Sequence, residues 1–296
     1  MELPGAGTKP TWTQKGLVLR LRQRSRTVDF VFSGIDGFTR HRTSRNAALL
    51  AHYGFLSVFP LVAVLTTVLG FVLQSHPSLR QRIVDSAMGN VPIIGQTLKS
   101  NPSALRGSVA VLVVGLATAL WAGTKAFVAA QNGMNDIWEV PDSDRPKLAR
   151  SRARALLAIV IVGVAQIASG IVSGVIGVSG ASVPAKALLI IASVVINIVV
   201  LLAAYRVLTA RELTRDQLLP GAIGAGIAFS ILQVVGGALV IRATKKAAPV
   251  YGTFASVIGL LTWLSLHAIV ALVGVEANAA LDRDRRGGGD FGTATT

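Results

Sequence analysis

The sequence predicts an all-α, polytopic membrane protein with six transmembrane helices and an N-terminal amphipathic helix lying at the membrane interface. Three observations carry that expectation. Six apolar stretches each exceed the ~20 residues that a helix needs to cross a bilayer core of roughly 30 Å. The chain of 296 residues is 52% hydrophobic and only 15% charged, where a soluble domain would be about a quarter charged. Lys and Arg gather on alternate sides of the apolar stretches.

Residues 1–14 contain Gly, Pro and Thr without an apolar pattern and are expected to be disordered. Residues 15–45 carry Arg20, Arg22, Arg24, Arg26, Arg40, Arg42 and Arg45. Leu17, Leu21, Val28, Val31, Phe32, Ile35 and Phe38 recur among them at helical spacing. This reads as a basic amphipathic helix on the cytoplasmic membrane surface, its arginines meeting lipid headgroups. The transmembrane domain, 46–282, comprises spans 46–74, 108–131, 154–179, 186–208, 218–242 and 253–281. The loop 75–107 includes a short interfacial helix (Leu79, Ile83, Ala87, Met88) stopped by Gly89, Asn90 and Pro92. A charged loop, Asp136–Arg152 with Pro141 and Pro146, joins the second and third spans. Residues 283–296 form a disordered cytoplasmic tail.

Orientation follows from the basic residues outside the spans. Twenty lie on the side of the two termini and eight on the other: Arg80, Arg82, Lys99, Arg106, Lys186, Arg242, Lys245 and Lys246. Both termini are therefore expected in the cytoplasm of a bacterial plasma membrane. The net charge of +15 is read as attraction to anionic headgroups, and no nucleic-acid partner is expected. With no cysteine, thiol catalysis, disulfides and Cys-ligated metals are excluded. Gly170-x-x-x-Gly174 and the Gly221–Gly226 stretch allow close helix packing.

Ionisable residues inside lipid are the natural functional candidates. His52, Lys125 and Glu276 each lie about 8–9 Å from the cytoplasmic end of their span at 1.5 Å per residue. The expectation is that Lys125 and Glu276 pair, with His52 nearby; the alternative is that Lys125 snorkels to the headgroups. Gln166, Asn197, Gln233 and His267 form a deeper layer, roughly 16–22 Å in. They either line a polar route or hydrogen-bond between helices to hold the bundle.

Catalytic readings fail on spacing. Gly177-Val178-Ser179-Gly180 resembles the GxSG of rhomboid proteases, but Ser179 and His267 differ in depth by about 16 Å. His41, His52, His76 and His267 form no HxH or HExxH, and no P-loop is present. Neither an enzyme, a cofactor nor a metal is expected.

The segment Ala47-Ala48-Leu49-Leu50-Ala51-His52-Tyr53-Gly54-Phe55-Leu56-Ser57-Val58-Phe59-Pro60 resembles the AxAYYxLLSLFPLL signature of the YihY/BrkB family of bacterial inner-membrane proteins. Trp121 with Asn132–Trp138, Arg206 with Leu219-Pro220-Gly221-Ala222, Tyr251-Gly252-Thr253 through Trp263, and Gly274-Val275-Glu276-Ala277-Asn278-Ala279 resemble later family segments in the same order. His52 departs from the Tyr of the signature. The resemblance implies a helical six-pass protein. Family members were once labelled ribonuclease BN, and others have been linked to export of envelope lipid or lipopolysaccharide and to serum resistance. It raises Glu276 and Asn278 as site residues and Pro60, Pro220, Tyr251 and Gly252 as structural or hinge positions. Pro60 also has a physical reading of its own, since it frees the carbonyl of Leu56 and kinks the first span.

The expected function is a transporter, or transporter-like protein, for an envelope lipid or another amphiphile. A non-transporting scaffold docking envelope or division proteins is the alternative, and an intramembrane hydrolase a distant one. Anionic membrane lipids are the expected partners, with a second copy of the chain left open.

Overall fold

The structure, a computed structural model, describes residues 26–72, 109–178, 183–233, 252 and 254–286. Among them it is all-helical, with seven α-helices. These are α1 Arg26–Arg40, α2 Thr43–Val72, α3 Val109–Ile137, α4 Leu148–Val178, α5 Val183–Leu208, α6 Arg215–Ile231 and α7 Phe254–Arg285. A single 3₁₀ turn, Asp142–Asp144, sits between α3 and α4. Four described segments are long and apolar enough to cross a membrane: Thr43–Leu65, Val109–Ile137, Ala187–Leu208 and Phe254–Arg285. They coincide with the first, second, fourth and sixth predicted spans. Helix α4 occupies the third, and α6 with residues 232–233 the start of the fifth. Residues 1–25, the 75–107 loop with its interfacial helix, Ser179, the end of the fifth span, Tyr251 and the 287–296 tail lie outside the described residues.

The helices outrun the apolar stretches that announce them. Helix α3 continues six residues past 131, to Ile137, and α7 continues four past 281, to Arg285. Helix α4 starts at Leu148 and α6 at Arg215, ahead of the expected 154 and 218. Hydropathy marks where lipid ends, whereas the backbone ladder runs on until a cap stops it. Thr214 caps α6, its N–H donating to Gln217 Oε1 at 2.8 Å. The segment read as one helix over 15–45 is divided by a turn at His41-Arg42, where Arg42 takes a left-handed φ of 51°. From Thr43 the chain is already in α2.

The chain forms two compact units, one of residues 1–51 with 127–296 and one of 52–126. Within the smaller, Gly115 of α3 faces α2: a Cβ there would stand 3.1 Å from Val64 Cγ2 and 3.4 Å from the Pro60 carbonyl. Phe55 and Phe59 meet edge to face at 5.3 Å.

Within the larger unit α4, α5, α6 and α7 pack in succession, and α1 lies against α7. Contact between α6 and α7 is nearly backbone on backbone. A Cβ on Gly221 would overlap the Gly274 carbonyl, and one on Gly274 would stand 2.8 Å from Ala225 Cβ. Tyr205 of α5 is wholly buried and donates its hydroxyl to the Ala271 carbonyl of α7 at 2.7 Å. Phe59, Leu65, Val114, Leu188 and Ile190 stand exposed on the outer helix faces. A soluble monomer would not display so much apolar surface.

Candidate functional site

Polar chemistry concentrates at the C-terminal part of α7 and the turns that follow α1 and α3. Glu276 of α7 is at its centre, with a side chain only 3% exposed. His41 Nδ1 lies 2.9 Å from Glu276 Oε1 and 3.1 Å from Oε2. The Thr43 hydroxyl donates to Oε1 at 2.7 Å. Access on the remaining side is closed by α1, where a Cβ at Gly37 would stand 2.6 Å from Oε2. The turn at His41-Arg42 makes this arrangement possible, since it places the imidazole and the first hydroxyl of α2 over the same carboxylate.

His41, 5% exposed, is bracketed by a second carboxylate: Nε2 lies 3.4 Å from Glu139 Oε1. Glu139 stands in the turn after α3 and is 58% exposed. The same oxygen receives Arg40 Nη2 at 2.8 Å and Arg283 Nη1 at 3.5 Å. Glu139 has a φ of 51°. Its N–H donates to the Asp136 carbonyl at 3.1 Å and that of Val140 to the Asn135 carbonyl at 2.9 Å. This is the Schellman ending of a helix, in which the left-handed position usually falls to glycine. A glutamate there accepts a less favourable backbone and contributes a carboxylate that glycine lacks.

Two further connections hold the same end of the bundle. Asn278 is buried between α7 and α6, accepting from Gly221 N–H at 2.6 Å and donating to the Leu218 carbonyl at 2.8 Å. It thereby bridges backbone groups on both sides of Pro220, which has no N–H to offer the Asp216 carbonyl. Arg285 Nη1 supplies that carbonyl instead, at 3.2 Å. Asn46 Nδ2 donates to Asp136 Oδ2 at 3.1 Å, and Asp136 Oδ1 pairs with Arg145 Nη2 at 2.9 Å.

The partners that the structure gives Glu276 are His41 and Thr43. Both Glu276 oxygens are engaged by His41 and Thr43, and the Lys125 and His52 side chains are exposed in the other compact unit. Depth along a helix says how high a residue stands, not which neighbour it faces. In the deeper layer, Asn197 Nδ2 donates to Ser230 Oγ at 2.9 Å and to Gln233 Oε1 at 3.3 Å. His267 Nδ1–H donates to the Trp263 carbonyl of its own helix at 2.8 Å, with Phe229 edge-on at 4.7 Å. Gln166 is in α4, its side chain outside the described residues. Of the headgroup candidates, Arg42 and Arg45 are exposed and Arg40 pairs with Glu139. Arg26 opens α1, its side chain undescribed, and Arg20, Arg22 and Arg24 lie outside the described residues. Gly252 stands in the turn before α7 with a φ of +56°.

Sequence reasoning missed His41, Thr43 and Glu139. The only available signal was that a His, a Thr and a Glu stand at the ends of three helices that the charge pattern brings to one membrane face. Among the described residues no group of three or more His, Cys, Asp or Glu is arranged to hold a metal ion.

A family profile described as virulence factor BrkB matches residues 35–293. An uncharacterised protein of Dickeya dadantii (strain 3937) is 27% identical over 281 residues, covering 87% of this chain and 84% of its own. The inner membrane protein YhjD of Escherichia coli (strain K12) is 28% identical over 164 residues, which is 52% of this chain and 48% of YhjD. YfkH of Bacillus subtilis (strain 168), which bears a ribonuclease-like name, is 23% identical over 276 residues, 84% of this chain and 94% of YfkH. No solved structure matches the chain.

Proposed function

The chain belongs to the virulence factor BrkB family, and from that premise we propose that it is a six-pass bacterial inner-membrane protein of transporter type that moves an envelope lipid or another amphiphile. Both termini are cytoplasmic in this reading. The observation that carries it is the set of hydrogen-bond partners of Glu276: an imidazole and a hydroxyl. A buried carboxylate fixed by Lys or Arg is a permanent ion pair. One held by histidine has a partner that can carry its proton on either ring nitrogen. Ionisable groups within a membrane domain are the usual elements of proton relays and ion pathways.

Further support comes from the surface. Exposed Arg42 and Arg45 sit beside the site on the face read as cytoplasmic, where they would attract anionic headgroups. The name of YhjD places that relative in the inner membrane. One observation favours the scaffold reading: Arg40, Glu139 and Arg283 join α1, the α3 turn and α7 into a single charged face suited to docking a cytoplasmic protein. Reconstitution in vesicles carrying fluorescent anionic phospholipid separates the two. Transbilayer movement above that of protein-free vesicles supports transport, and its absence for every lipid tested supports the scaffold.

A further inference from the structure

We infer that His41 is a proton relay, carrying protons between solvent at Glu139 and the buried carboxylate of Glu276. The inference deepens the functional reading above by naming the ion that the Glu276 site takes. It stands on the order of the three groups: an exposed carboxylate, a buried imidazole and a buried carboxylate, joined by contacts of 3.4 Å at Nε2 and 2.9 Å at Nδ1.

Each ring nitrogen faces a carboxylate oxygen, and a neutral imidazole has one N–H for the two positions. The proton therefore has two places around the ring, one on each side. Starting from His41 protonated on Nδ1, a proton from water binds Glu139. Glu139 passes it to Nε2 as the Nδ1 proton moves to Glu276. The products are a Glu139 carboxylate, a neutral His41 protonated on Nε2 and a Glu276 carboxylic acid. One proton has crossed from solvent to the interior, no electron has moved, and release runs the same steps in reverse.

The geometry selects a proton over a metal ion. On the side of α1, Glu276 Oε2 is covered by Gly37, whose Cβ position would stand 2.6 Å away. Oε1 is engaged by the hydroxyl of Thr43, a donor that a cation would have to displace. The groups facing His41 are Arg40 from α1, Thr43 from α2, Glu139 from the turn after α3, and Glu276 and Arg283 from α7. The two arginines pair with Glu139, the outer end, and Arg283 is attracted by Glu276 as well, whose hydrogen-bond partners are His41 and Thr43.

The test is time-resolved infrared spectroscopy after a pH jump on the full chain in lipid nanodiscs. The protonated-carboxyl band of Glu276 is identified by its loss in Glu276→Gln. The relay predicts that the band appears roughly tenfold or more slowly in His41→Gln and slows clearly in Glu139→Gln, with Glu139→Asp near wild type. Glu139 is more than half exposed, so its variants fold even where His41→Gln does not. Rates unchanged in Glu139→Gln, or no change in Glu276 protonation in wild type, would overturn the relay. The readout needs no lipid movement: vesicles that move no lipid while the band keeps its His41 and Glu139 dependence would sink the transport reading and leave the relay standing.

Discussion

The carboxylate of Glu276 lies so close under Gly37 that a Cβ on the glycine would stand 2.6 Å from Oε2. Helix α1 thus meets α7 through a missing side chain. Gly37→Ala is expected to destabilise the fold by about 1–3 kcal/mol through overpacking. Gly34, one turn earlier in α1, has nothing within 4 Å of its Cβ position. Gly34→Ala should therefore be neutral or stabilising, by up to about 1 kcal/mol, through helix propensity. Thermal unfolding of the two variants in detergent checks the contrast, and equal midpoints would refute the close approach.

Asn278 satisfies one donor and one acceptor of α6 around Pro220. Asn278→Ala removes both bonds, at about 0.5–1.5 kcal/mol each. Hydrogen exchange at Gly221 is the local readout. Its amide should lose protection in the variant while amides of α3 keep theirs.

Glu139 separates conformation from charge. Glu139→Ala removes the contacts to Arg40, His41 and Arg283 and keeps a side chain at a φ of 51°. Glu139→Gly removes the same contacts and relieves the backbone. The glycine variant should be more stable than the alanine variant by about 1 kcal/mol. Equal stability of the two would mean that the turn is not held left-handed.

Much of the fold was legible because lipid imposes a simple demand. Residues 46–65 and 254–272 must be apolar to lie in a bilayer, and such runs announce themselves. Glu276 was legible for the complementary reason, as a carboxylate within an apolar helix. Its partners were not. His41 and Thr43 sit in an Arg-rich stretch that reads as a solvated surface, and their burial depends on the turn at Arg42 and on the bare face of Gly37. Glu139 lies in a segment that hydropathy treats as loop, beyond where α3 leaves the apolar region. A helix end is set by backbone caps, and these are only weakly marked in the residues.

Tyr205 checks the packing of α5 on α7 independently of the site. Tyr205→Phe removes one buried hydrogen bond to the Ala271 carbonyl and should lower stability by about 1 kcal/mol without loss of fold. Circular dichroism melts of the variant test this, and an unchanged midpoint would mean that the hydroxyl contributes nothing.

The most direct test of Glu276 as the working group is the rate of transbilayer movement of fluorescent anionic phospholipid. Wild type and Glu276→Gln are compared in vesicles holding equal amounts of protein whose helix content and unfolding midpoint have been matched. Glutamine keeps the size of the side chain and still accepts from Thr43, but cannot exchange a proton with His41. The account predicts that the variant loses most of the movement seen with wild type. Equal rates in the two proteins would contradict it.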